Sequence, residues 1–107
     1  MNESMALTES TYYILLSLAR PRHGYGIMQQ TERMSGGRVR LAAGTLYGAL
    51  NSLCEKGWIA PVPSTEENRR KEYRLTERGG EVLRNELNRL RELVCNGEAI
   101  LEQGAEA

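Results

Sequence analysis

The sequence predicts a mainly α domain with one small β-hairpin and a long C-terminal helix. Three observations predict it. Apolar residues recur at three- and four-residue spacing in four separate stretches. Two short strand-like runs, at 58–62 and 72–76, flank a polar, turn-rich link. A leucine-rich stripe then runs at heptad-like spacing from Leu83 to Leu101.

The first helix is expected over residues 8–20. Thr8 can cap it, and Glu9 sits in its first turn near the positive end of the helix dipole. Tyr12, Leu15, Leu16 and Ala19 form its apolar stripe, and Pro21 stops it. A second helix spans about 24–35, with Ile27, Met28, Thr31 and Met34 inward and the pair Gly36, Gly37 ending it. Residues 38–41 suit a brief strand or an extended connector. The third helix starts near Ala43 or Gly44 and runs to Lys56, where Gly57 terminates it. Leu46, Leu50 and Leu53 make its buried stripe. The hairpin follows, with Tyr73 and Leu75 on one face of its second strand and a charged tip at Arg69, Arg70 and Lys71. Thr76 can cap the last helix, which reaches about Gln103, some 40 Å at about 1.5 Å per residue. Three helices and a hairpin are the winged form of the helix-turn-helix. In that fold the third helix enters the major groove of DNA and the hairpin lies on the flanking backbone.

Composition narrows the class. A length of 107 residues is one domain's worth, and with no Phe and one Trp the core must come from Leu, Ile, Val and Met. No apolar run approaches the ~20 residues of a membrane span, and the residues at 1–4 do not read as a signal peptide, so a cytoplasmic location is expected. The two cysteines, Cys54 and Cys95, form no C-x-x-C pair and read as free thiols. Cys95 follows Val94 closely enough for a bridge between two copies to be the sharper alternative. The neutral total charge hides an asymmetry: residues 20–40 carry five arginines against Glu32, whereas residues 79–107 carry three arginines against six glutamates. A basic patch is the footprint expected of phosphate binding.

With its leucines inward, the third helix turns Thr45, Tyr47, Gly48, Asn51 and Ser52 outward. That face holds hydroxyls and an amide but almost no charge. Such groups can hydrogen-bond base edges, Asn51 can pair with adenine, and Gly44 and Gly48 permit close approach. The cations Arg69, Arg70 and Lys71 can clamp phosphates from the hairpin tip. The single histidine, His23, lacks companions for a metal site and reads as a surface or helix-start residue. No nucleophile–base arrangement, phosphate-binding loop or dinucleotide fingerprint is present, so no enzyme and no cofactor are expected. The stripe Leu83, Leu87, Leu90, Val94 and Leu101, with Gly97 in its seam, is longer than a small head can cover. Leaving five such side chains in water forgoes roughly 10 kcal/mol at ~2 each. A two-fold dimer hides the stripe against its own copy. Residues 1–78 are thus expected to be a DNA-binding domain and residues 79–107 a dimerisation helix with a short tail. The neutral total charge points to one alternative, a winged-helix module that binds a protein partner instead of specific DNA.

The chain resembles the PadR-like transcriptional regulators over roughly residues 5–95. The matching pieces are L-T-E at 7–9 with Y-I-L at 13–15, R-H-G-Y-G-I at 22–27, G-T-L-Y-G-A-L at 44–50, K-G-W-I at 56–59 and Y-R-L-T-E-R-G at 73–79. The resemblance implies a repressor that dimerises through its last helix, with Tyr12 and Leu16 of the first helix packing against the partner. It implies that Thr45, Tyr47 and Gly48 approach a near-palindromic operator, assisted by residues 69–71. The single terminal helix looks like the short form of the family. Some relatives hold flat aromatic compounds between tryptophans at the dimer centre. The last helix here has no aromatic residue, so what carries over is a small apolar effector in a dimer-interface cavity lined by Leu and Val.

Overall fold

Seven elements follow one another in the computed structural model, which describes residues 6–63 and 71–103: α1 (Glu9–Ser17), β1 (Arg22–His23), α2 (Gly24–Met34), α3 (Ala43–Glu55), β2 (Ile59–Val62), β3 (Glu72–Leu75) and α4 (Glu77–Glu102). The strands make one antiparallel sheet in the order β1-β3-β2, with Tyr73 opposite both Arg22 and Pro61. The mainly α winged-helix architecture expected from the sequence is present, with a three-stranded sheet in place of a bare hairpin.

Local chemistry sets the boundaries. Thr8 Oγ1 accepts the Thr11 N–H at 3.1 Å and opens α1. The helix ends at Ser17, three residues before the expected stop. Leu18 and Ala19 donate to the carbonyls of Leu15 and Leu16, an i−3 tightening that unwinds the last turn ahead of Pro21. The stripe shifts accordingly: Ile14, Leu15 and Leu18 are buried, Tyr12 and Leu16 are half-buried, and Ala19 is exposed. His23 does start a helix, its Nδ1 accepting the Gly26 N–H at 3.2 Å. Both α2 and α3 end in the same motif. Gly37 and Trp58 donate to the carbonyls of Glu32 and Leu53, while Gly36 and Gly57 adopt positive φ of 65° and 79°. Residues 38–41 are an extended connector, not a strand, and Val39 is its buried anchor.

The core joins five of the head elements: Ile14 and Leu15 from α1 with Leu18 just after it, Ile27 from α2, Leu46, Leu50 and Leu53 from α3, Ile59 from β2 and Tyr73 from β3. Val82 and Leu83 of α4 pack on its edge. The joint between α3 and α4 is built at Thr76. Its Oγ1 accepts the Gly79 N–H at 3.0 Å and donates to the Gly57 carbonyl at 2.7 Å, and its own N–H donates to the Trp58 carbonyl at 3.0 Å. Gly79 is required there, because a Cβ would overlap the Trp58 carbonyl oxygen. Farther along, Glu86 is only 4% exposed. It pairs with Arg89 at 2.7 Å and accepts the Leu7 N–H at 3.4 Å, pinning the chain ahead of α1 to α4. Beyond Leu90 every described residue of α4 is exposed, so the helix projects from the head and the molecule measures 63 × 33 × 20 Å. No described helix is long and apolar enough to cross a membrane.

Thr76→Ala removes a helix cap together with the bond to Gly57, so urea denaturation should show a loss of about 1–2 kcal/mol. The Arg89 guanidinium, followed by the Leu7 N–H, holds the Glu86 carboxyl below its ordinary range, although burial opposes this. A carboxyl depressed in the folded state stabilises the protein above its unfolded pKa, near ~4.3, and that stability is lost as pH falls through the folded value. Glu86→Gln should therefore lower stability at neutral pH and flatten its decline on acidification, read from urea midpoints across the acid range.

Candidate nucleic-acid interface

Burial of Leu46, Leu50 and Leu53 settles which side of α3 faces out. Thr45, Tyr47, Gly48, Asn51 and Ser52 are all exposed, as are Ala43 and Gly44. At Gly44 and Gly48 an added Cβ would meet nothing within 4 Å. Neither glycine has positive φ. Glycine inside a helix costs about 0.5–1 kcal/mol relative to alanine, and no packing among the described residues requires it here. The two positions leave a shallow, uncharged strip where an external surface can come close to the helix backbone.

Tyr47 is held rather than loose. Its ring lies across Gly24 at the start of α2, and a Cβ on Gly24 would overlap the Tyr47 hydroxyl and approach Cζ to 2.7 Å. Gly24 is buried beneath the ring, and Tyr47 remains 45% exposed. The contact seats the hydroxyl end of the phenol on the start of α2. Tyr25, the residue after Gly24, is 60% exposed. The sequence reading passed over it, although the H-G-Y-G run at 23–26 places an aromatic in the first turn of α2 with no apolar stripe to bury it.

The wing is partly visible. Lys71 is exposed, and its Nζ stands 5.9 Å from the ring centroid of Tyr73. Arg69 and Arg70 lie outside the described residues. The basic stretch 20–40 is less available than its composition suggests. Arg38 pairs with Glu9 at 2.6 Å, which pushes the guanidinium pKa upward, and Arg40 approaches Glu32 at 3.5 Å. Arg22 donates through Nε to the Ser17 carbonyl at 2.7 Å and secures the α1–β1 turn. Arg20 and Arg33 are exposed and enter none of the ion pairs among the described residues.

Along α4, the expected stripe divides. Leu83 packs on the head core and Leu90 is half-buried, whereas Leu87, Val94 and Leu101 are exposed, Leu101 at 79%. Leu93 and Ile100 are exposed too, and heptad counting had missed them. Leu87, Leu90, Val94, Arg91, Cys95 and Glu98 line an open depression of about 320 Å³ along the helix. Gly97 has open space where a Cβ would stand, so a second helix can approach closely there. On α1, Tyr12 and Leu16 are half-buried, and Tyr12 meets Tyr13 edge to face at 5.9 Å. Among the described residues no three His, Cys, Asp or Glu side chains gather as a metal site. Burial pushes the Cys54 thiol pKa up, and Cys95 is exposed.

Comparison with known proteins gives this geometry a context. Residues 14–85 match the Transcriptional regulator PadR-like family. A solved PadR family transcription regulator from Clostridium difficile superposes with a TM-score of 0.73 at 24% identity, covering 88% of this chain and 99% of that one. Bacillus subtilis PadR, solved in complex with operator DNA, superposes with a TM-score of 0.61 at 25% identity over 71% of this chain and 45% of that one. An uncharacterized 37.1 kDa protein of a Streptomyces fradiae transposon is 36% identical over 90 residues, 83% of this chain. The chain spans only 25% of that protein's length.

The Gly24–Tyr47 contact makes a testable pair. Gly24→Ala should destabilise the fold by about 1–3 kcal/mol through overpacking, and Tyr47→Ala in the same chain should recover part of that loss. Urea denaturation of the two single variants and the double variant measures the coupling; additive effects would mean that the ring does not lie on Gly24.

Proposed function

This chain belongs to the PadR-like family of transcriptional regulators, and we propose that it acts as a repressor, binding a near-palindromic operator in double-stranded DNA as a homodimer. The observation that carries this reading is the outer face of α3. It is exposed, nearly uncharged, and carries two glycines that no packing among the described residues requires. In the major groove, Thr45 and Asn51 would present polar side chains to base edges, Asn51 by pairing with adenine, and Gly48 would let the helix backbone approach. Tyr47 would contact the edge of the groove from its seat on Gly24. Lys71, together with Arg69 and Arg70, would hold the flanking phosphates from the wing. The operator complex of Bacillus subtilis PadR supports this use of the fold.

Dimerisation is the second half of the proposal, with residues 1–78 as the DNA-binding unit and 79–107 as the dimerisation helix and tail. Leu87, Leu93, Val94, Ile100 and Leu101 stand exposed on the projecting helix. At ~2 kcal/mol each, covering them is worth roughly 10 kcal/mol as an upper bound, comparable with the whole stability of a small domain. A copy of the same helix offers the complementary stripe, with Tyr12 and Leu16 of the partner's α1 closing its flank and Leu83 and Leu90 at its inner end. The resemblance adds relief of repression by a small apolar effector at this interface. The depression along Leu87, Leu90 and Val94 is the apolar surface open to it.

Binding to operator DNA and its salt dependence test the proposal. Replacing Arg69, Arg70 and Lys71 with Ala should weaken binding to all sequences alike and lower the salt slope by about 2–3. Thr45→Ala and Asn51→Ala should instead change the preferred sequence, at about 1–3 kcal/mol for a lost base contact. The paired change Val94→Asp with Leu101→Asp should give a monomer by sedimentation and lose operator affinity while leaving the head folded. A protein that keeps full affinity as a monomer would contradict the dimeric reading.

A further inference from the structure

The two flanks of the projecting part of α4 are built differently. Leu87, Val94 and Leu101 recur every seven residues along its exposed stripe. On one side of that stripe stand Arg91 and Glu98, which share a depression with Leu87, Leu90 and Val94. On the other side stand Leu93 and Ile100, 52% and 49% exposed. Each flank also repeats every seven residues, so both run the length of the stripe. One flank is charged and the other is apolar. Arg91 and Glu98 lie about 10 Å apart along the helix axis, too far to pair with each other. Neither enters an ion pair among the described residues. Beyond Arg91 the described part of α4 carries Glu92, Glu98 and Glu102 and no cation, and its last turn holds no basic residue. That charge opposes the negative end of the helix dipole.

We propose that α4 pairs with a second copy of itself in antiparallel orientation, with Arg91 of each chain against the partner's Glu98. The proposal rests on the dimeric reading and adds an orientation, a register and the residues that select the partner. In a parallel pair each flank meets the opposite flank of its neighbour. Arg91 and Glu98 would then face Leu93 and Ile100 and lose water without gaining a counter-charge. The glutamates at 92, 98 and 102 would also stand level with their own copies and repel. A two-fold axis across the helices instead sets each flank against itself. Leu93 and Ile100 then meet an apolar surface, and the Arg91–Glu98 contact forms twice. The charges fix the register: the axis crosses between Val94 and Cys95, midway between positions 91 and 98. Gly97 falls opposite the seam between Leu90 and Val94 of the partner, where its open space admits their side chains. The acidic end of each helix lies along the arginine-bearing middle of the other.

Charge reversal in the full chain tests the pairing. Arg91→Glu alone and Glu98→Arg alone should each weaken self-association about tenfold in sedimentation equilibrium, since each turns two attractions into two repulsions. Both changes in one chain should restore association to within about threefold of the unaltered protein. Singles that associate as well as the unaltered protein, or a double variant no better than the singles, overturn the proposal. Spin labels read the orientation directly. With Cys54→Ser and Cys95→Ser in place, labels at Glu81→Cys or Glu102→Cys should give pulsed-EPR distances longer at 81 than at 102 by roughly 20 Å. A parallel pair gives similar distances at the two positions and overturns the orientation while leaving the dimeric reading intact. A chain that stays monomeric gives no distance and overturns both. Circular dichroism checks that each variant is folded, and if the cysteine replacements unfold the head the charge-reversal series decides alone.

Discussion

The joint at Thr76 is the constraint on which the rest of the molecule depends. Three hydrogen bonds and one missing Cβ converge there. Thr76 bonds to Gly57 and Trp58 at the exit of α3, caps α4 through Gly79, and Gly79 makes room for the Trp58 carbonyl. The joint ties the exit of α3 to the start of α4. α3 contributes Leu46, Leu50 and Leu53 to the core and so has only one face left for an outside partner. α4 contributes Val82, Leu83 and the Glu86–Arg89 pair to the head and then leaves it. Because the junction is short and fully bonded, the direction in which α4 leaves the head is coupled to the direction in which α3 faces.

The two exposed surfaces differ in chemistry, and the difference sorts their partners. The outer side of α3 is polar and small, with Thr45, Asn51 and two glycines that no packing among the described residues explains. It offers hydrogen-bonding groups and close approach but little hydrophobic gain, which suits a hydrated, polar groove. The far half of α4 offers the reverse: Leu93, Val94, Ile100 and Leu101 in water along one helix, with Gly97 permitting close helix contact. That surface suits an apolar partner of the same shape.

Much of this was legible in the sequence, for identifiable reasons. Elements with a repeating signal were placed well. The leucine stripe of α3, the Thr8 and Thr76 caps and the glycines at 36 and 57 mark boundaries by local chemistry, and local chemistry is what a sequence displays. Features made by contacts between distant residues were not legible. β1 is two residues long, carries no periodicity, and exists because Arg22 and His23 meet β3 about fifty residues later. Glu86 reads as a surface charge on an amphipathic helix, and only the arrival of the Leu7 backbone shows it to be buried. The basic stretch 20–40 looks like a free patch until Glu9 is found 29 residues from Arg38 across the fold. Tyr47 was picked as a contact residue, but its support by Gly24 depends on an approach between α2 and α3 that spacing cannot reveal. Leu93 and Ile100 were missed because strict heptad counting follows one seam, whereas the exposed apolar surface of α4 is wider than that seam.

Operator recognition as proposed requires two α3 helices to be presented together to one face of a duplex. Hydroxyl-radical footprinting of the protein on the promoter of its own gene, in about 100 mM salt, tests this most directly. A dimer with two α3 helices should leave two protected patches related by near-palindromic symmetry and centred about one helical turn, ~34 Å, apart. A single isolated patch, or protection without sequence preference, would contradict it.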